Sequence, residues 1–150
     1  MKILIASDHA GTEFKSSLVN WLRSIHHEVI DYGPETNDSV DYPDFADKVC
    51  RNLKTIEDTP EFSEFGILIC GSGQGMALRA NKYPKIRAAL VYSSEIAKLS
   101  REHNNANVIC IGARFCDLNQ AKEWIEIFKS TKFSQGRHQS RVAKVSAPIA

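Results

Sequence analysis

The chain has 150 residues, of which 43% are hydrophobic, and its 19 basic and 18 acidic residues leave a formal net charge of +1. That length and apolar content suit one core and a single domain over residues 1–150, and near neutrality gives no general electrostatic reason to bind nucleic acid or an anionic membrane. The opening MKILIASDHAG meets Asp8 too early for a signal peptide, and no apolar run is long enough to span a bilayer, so a cytoplasmic protein is expected.

In chain order, residues 3–6 form the first short apolar run and read as a buried strand. Phe14, Leu18, Trp21, Leu22 and Ile25 then recur at the helical period. A strand is predicted at 28–31, a helix over 42–53, a polar surface loop over 54–64 and a strand at 66–70. Helical faces over 76–82, 94–103 and 121–128 alternate with strands at 87–91 and 108–112, and 136–150 is a basic tail with no clear core face. Strand and helix alternate throughout. Right-handed crossovers then give a parallel sheet covered on both faces, with ligands bound beyond the carboxyl ends of the strands. His26 and His27 end the first helix as a solvated terminus.

Beyond those strand ends lie Asp8, His9 and Gly11, then Cys70 with GSGQG, then Arg114. The glycines at 71, 73 and 75 let backbone N–H groups converge on an oxyanion, and the helix that follows adds its positive end. The loop is neither a P-loop, which needs GxxxxGK[ST], nor a dinucleotide fingerprint, which needs GxGxxG. A thiol at this lip is favoured as thiolate, so Cys70 is a candidate base or nucleophile; the plain alternative is a small apolar residue closing a buried strand. The four cysteines, Cys50, Cys70, Cys110 and Cys116, lack CxxC or zinc-ligand spacing and are expected to be free thiols.

SDHAG, DYPDFA, ICGSGQGMALRANK, REHNNANVICIGAR and GRHQSR occur in the order found in the type B ribose-5-phosphate isomerases and their hexose-phosphate relatives, and the resemblance covers nearly the whole chain. It implies an α/β fold, a Rossmann-like three-layer αβα sandwich around a five-stranded parallel sheet. It also implies a homodimer and a cofactor-free, metal-free interconversion of aldose and ketose sugar phosphates. One branch of the family uses a cysteine base and another a glutamate just past the glycine segment. Met76 occupies that second position, which indicates the cysteine branch.

By the same resemblance Cys70 moves the proton between C2 and C1 through a cis-enediolate, held by backbone donors of Gly71, Ser72, Gly73, Gln74 and Gly75. Ser72 either relays a proton between the two oxygens or caps the following helix. His103 protonates the ring oxygen during ring opening, Asp8 accepts the anomeric hydroxyl proton, Asn104 holds a sugar or enediolate oxygen, and Tyr42 contacts the sugar. A histidine ending a helix is also a favourable terminal charge. Arg137 and Arg141 stand four residues apart, aligned if the tail is helical, and with Arg114 and His9 form the phosphate clamp. Arg101 lacks that support and stays outside the site. The family's frequent glycine is replaced here by Lys85. Because the helix over 94–103 must return to the opposite sheet edge, His103 is expected to serve the partner's site across a twofold interface. The alternatives are a 6-phosphohexose isomerase and a noncatalytic sugar-phosphate sensor.

Overall fold

In a computed structural model describing residues 1–55 and 61–149, five strands form one parallel sheet: β1 (Lys2–Ser7), β2 (Glu28–Asp31), β3 (Glu64–Cys70), β4 (Ala88–Val91) and β5 (Val108–Gly112). Their order across the sheet is β2-β1-β3-β5-β4. Among the described residues the helices are α1 (Thr12–Ser24), α2 (Tyr42–Asn52), α3 (Gln74–Ala80), α4 (Ser94–Asn104), α5 (Leu118–Ser130) and α6 (Arg137–Ser146), with a single 3-10 turn at His9–Gly11. The three-layer architecture is the one expected.

The strands are apolar end to end because both faces are covered. Alternate residues of β3 divide between two cores: Phe65, Ile67 and Ile69 pack with Leu18, Leu22, Trp124 and Phe128 of α1 and α5, whereas Leu68 and Cys70 pack with Val49, Met76 and Ala80 of α2 and α3. The right-handed crossover rule accounts for this division. From β1 to β2 and from β4 to β5 the chain moves one way across the sheet, and α1 and Ala97 of α4 lie on one face; from β2 to β3 and from β3 to β4 it moves the other way, and α2 and α3 lie on the opposite face. Above the carboxyl end of β3, α3 therefore diverges from the helices that follow both neighbouring strands. That divergence opens the crevice holding the candidate site.

Two sequence expectations change in detail. Of the proposed surface loop over 54–64, residues 56–60 lie outside the described residues, and Glu64 is not loop but the first residue of β3. Its carboxylate is buried, accepting the Lys54 backbone N–H at 2.8 Å and pairing with Lys2 at 3.4 Å. The basic tail forms α6, which buries no residue and so carries no core signal. Lys85, at the family's glycine position, is not among the residues with positive φ. Among the described residues, no helix is long and apolar enough to cross a membrane.

Candidate active site

Register brings the three motif-bearing strand ends together: Ser7 pairs with Ile69, and Cys70 pairs with Gly112. Asp8, Cys70 and Arg114 consequently border one open cavity of about 380 Å3, shared with Tyr42, Gly71, Ser72, Gly75 and Phe115. Cys70 is 5% exposed, and the Gly73 N–H donates to its Sγ at 3.1 Å. Asp8 caps the 3-10 turn, accepting the Ala10 N–H at 2.9 Å. His9 is exposed beside it, its Nδ1 accepting the Val40 N–H at 3.3 Å.

The glycine loop owes its shape to near contacts that a side chain would prevent. Gly73 has φ of 77°, and a Cβ there would lie 2.7 Å from Leu90 and 3.0 Å from the Gly112 backbone nitrogen. At Gly75 a Cβ would strike the Tyr42 ring at 2.6 Å, so the absent side chain is what brings Tyr42 against the loop. The Arg114 guanidinium covers Gly71, and the Arg114 N–H donates to the Gly71 carbonyl at 3.1 Å. Two of the five expected oxyanion donors are engaged within the loop: the Gly73 N–H on Cys70 and the Gln74 N–H on Ser72 Oγ at 3.3 Å. Gly71, Ser72 and Gly75 remain the candidate donors. Met76, at the alternative base position, is fully buried in the α2/α3 core.

The other candidates gather elsewhere. α4 begins at Ser94 beyond the carboxyl end of β4, its N-cap Ser93 accepting the Ile96 N–H at 3.2 Å, and runs to the amino edge of the sheet. There Asn105, with φ of 47°, ends the helix immediately after His103 and Asn104. His103 stacks on His138 of α6, with ring centroids 4.3 Å apart and planes 12° from parallel. Arg137 and Arg141 flank His138 on α6 and are exposed, and Arg141 and Asn104 line a common cavity of about 220 Å3. The sequence-derived site is thus divided between opposite edges of one subunit.

Sequence reasoning missed three contributors. Phe115, 77% exposed, forms part of the rim of the Cys70 cavity; its signal was an aromatic residue in a polar turn directly after Arg114. His138 sits inside GRHQSR between the two arginines, but only tertiary structure sets it against His103. Asp47 binds Arg79 through two contacts of 2.7 Å, tying α2, which carries Tyr42, to α3, which follows the glycine loop. That hydrogen-bonded guanidinium holds the Asp47 carboxyl below the usual carboxylate range. Arg101, set aside from the sequence, is buried: it stacks over Phe62 at 3.5 Å and donates to the Ala106 carbonyl, and burial lowers it to about 10. Among the described residues no group of three or more His, Cys, Asp and Glu side chains is placed to hold a metal.

The family model for Ribose/Galactose Isomerase matches residues 3–145. The chain belongs to the ribose/galactose isomerase family. Within that family it is 45% identical to ribose 5-phosphate isomerase B of Anaplasma phagocytophilum, with a TM-score of 0.88 over 96% of this chain and 95% of that one. It is 41% identical to ribose-5-phosphate isomerase B of Clostridium thermocellum, with a TM-score of 0.89 over 97% and 95%. The Mycoplasma genitalium ribose-5-phosphate isomerase B, solved with bound ribulose-5-phosphate, is 38% identical, with a TM-score of 0.88 over 97% and 93%. The three-layer fold is the one it shares with these solved isomerases.

Proposed function

We propose that this protein is a ribose-5-phosphate isomerase, interconverting D-ribose 5-phosphate and D-ribulose 5-phosphate through a cis-enediolate with Cys70 as the base. The observation that carries the reading is the Cys70 thiol at the floor of the crevice, with an amide donor 3.1 Å from sulfur and the two flanking strands supplying Asp8 and Arg114. The similarity to ribose-5-phosphate isomerases B over nearly the full chain supports the same substrate class. The Cys70 thiolate takes the proton from C2 of the open-chain aldose as charge develops on O1. Free N–H groups of the glycine loop stabilise that charge, and Ser72 Oγ can carry the hydroxyl proton from O2 to O1. The thiol then returns its proton to C1. Carbon 1 is reduced as carbon 2 is oxidised within one molecule, so no external oxidant or reductant enters.

Ring opening requires an acid at the ring oxygen and a base at the anomeric hydroxyl. Asp8 is the base. The acid is the partner subunit's His103 in a homodimer, because the run of α4 carries this chain's own His103 to the opposite sheet edge. Asn104, Arg137 and Arg141 share that edge with His103, so the phosphate clamp combines His9 and Arg114 with the partner subunit's Arg137 and the partner subunit's Arg141. The test is turnover of ribose 5-phosphate by the purified protein, monitored as ribulose 5-phosphate. Faster turnover of allose 6-phosphate or galactose 6-phosphate would replace the substrate assignment, and no turnover of any sugar phosphate would refute the enzyme reading.

A further inference from the structure

We propose that His138 is a positioning residue, fixing the plane in which His103 presents its ring nitrogens. The proposal rests on the reading of His103 as the ring-opening acid. The two imidazoles lie face to face, 4.3 Å between centroids and 12° from parallel, one at the end of α4 and one at the start of α6. The approach is built by the intervening chain. The Ser134 N–H donates to the Glu102 carbonyl at 3.0 Å, one residue before His103, which ties the connection to the last turn of α4. Gln135 and Gly136 then take φ of 57° and 54°, reversing the chain into α6 so that its second residue, His138, lands on the His103 ring. At the far end of α6 the Arg87 guanidinium donates to Ser146 Oγ at 3.1 Å.

α6 buries no residue in a core; its end contacts hold it beside α4, and the histidine stack is made on that placement. Its first two turns also carry Arg137 and Arg141, which the same end contacts hold independently of the stack. The electrostatics suit a supporting ring. Burial lowers the His138 pKa, and the nearby His103, Arg137 and Arg141 lower it further. That shift disfavours a positive charge on the ring that covers His103. Planar stacking restricts ring rotation without consuming either nitrogen of His103.

The experiment separates ring opening from proton transfer at carbon. D-Ribulose 5-phosphate has no ring to open, so exchange of its C1 hydrogen in D2O needs the Cys70 step alone, whereas turnover of D-ribose 5-phosphate needs both steps. His138→Ala should lower kcat for ribose 5-phosphate about tenfold, the upper range for a lost aromatic partner, with KM and C1 exchange each within about twofold of wild type. His138→Phe should recover most of the loss, because it restores the flat partner. The double variant with His103→Ala should be no slower than His103→Ala alone. Equal loss of turnover and exchange in His138→Ala, or failure of His138→Phe to restore turnover, would overturn the positioning role. Full ribose 5-phosphate turnover in His103→Ala would instead overturn the acid assignment beneath it. Loss in His103→Ala with none in His138→Ala would remove the positioning role and leave the acid assignment standing.

Discussion

Mixing two impaired variants tests the division of the site between subunits. α4 has 11 residues, which at a rise of 1.5 Å each carry the chain about 16 Å from the carboxyl edge of the sheet toward the amino edge. The adjoining β5, five residues long, spans about 16 Å by its own rise. His103 is thereby displaced by roughly a whole strand length from the edge where Cys70 lies, against the roughly 3 Å a proton transfer tolerates. Cys70→Ala and His103→Ala chains should each retain only a small residual turnover as pure dimers. After equimolar subunit exchange, half the dimers are mixed, and each mixed dimer has one site with both residues intact. Activity should therefore return to about a quarter of wild type, as twofold symmetry requires. The assay is ribulose 5-phosphate formation before and after exchange, with mixed dimers separated by a tag on one chain. If each site used its own chain's His103, every site would keep a defect, and an absence of recovery in verified mixed dimers would refute the reasoning.

Alkylation with iodoacetamide at pH 8 should modify Cys70 and abolish turnover, with ribose 5-phosphate protecting. Burial pushes Cys50 up to about 12, Cys116 up to about 11 and Cys110 well above its ordinary value. Mass mapping that finds the label first on another cysteine would contradict this. Gly73→Ala should lower stability by about 3 kcal/mol, combining left-handed backbone with overpacking against Leu90, and the melting temperature by about 6–12 °C; an unchanged melt would refute it. Asp47→Asn should destabilise the protein at neutral pH. Because Arg79 depresses the folded-state pKa of Asp47, the stability from this pair is present above the ordinary carboxylate range and is lost as pH falls through the depressed value. The gap between wild-type and variant melts should accordingly close below about pH 4, and a gap that widens there would contradict the assignment.

The sheet was legible because burial on both faces leaves an uninterrupted apolar signature, as in the β3 sequence EFGILIC. Glu64 broke that signature and was read as loop. Its carboxylate is satisfied by Lys54 and Lys2, so it enters the strand without needing solvent, a contact that hydrophobic pattern cannot register. α6 was illegible as packed structure for the opposite reason: it buries nothing, and only the four-residue spacing of Arg137 and Arg141 hinted at a helix. At the site, the glycines announced the cradle because Gly73 and Gly75 leave no room for side chains, but which N–H groups stay free depended on Cys70 and Ser72 turning back onto the loop.

Strand order does more than any single motif to determine what this site can be. By inserting β5 between β3 and β4, the chain sets Cys70 between two strands whose following residues, Asp8 and Arg114, border the same crevice. The same insertion obliges α4 to travel back from the carboxyl edge before β5 can begin, so the residues at its end, His103 and Asn104, must face the opposite way. α6 lies beside that end with His138 stacked on His103, and it carries Arg137 and Arg141. On the proposed reading, a monomer would present the Cys70 base without its ring-opening acid at one edge, and His103 with Arg137 and Arg141 at the other. A twofold pairing that set one edge against the other would complete two sites at once, and would tie the proposed ring opening to assembly while leaving the Cys70 loop folded within its own chain.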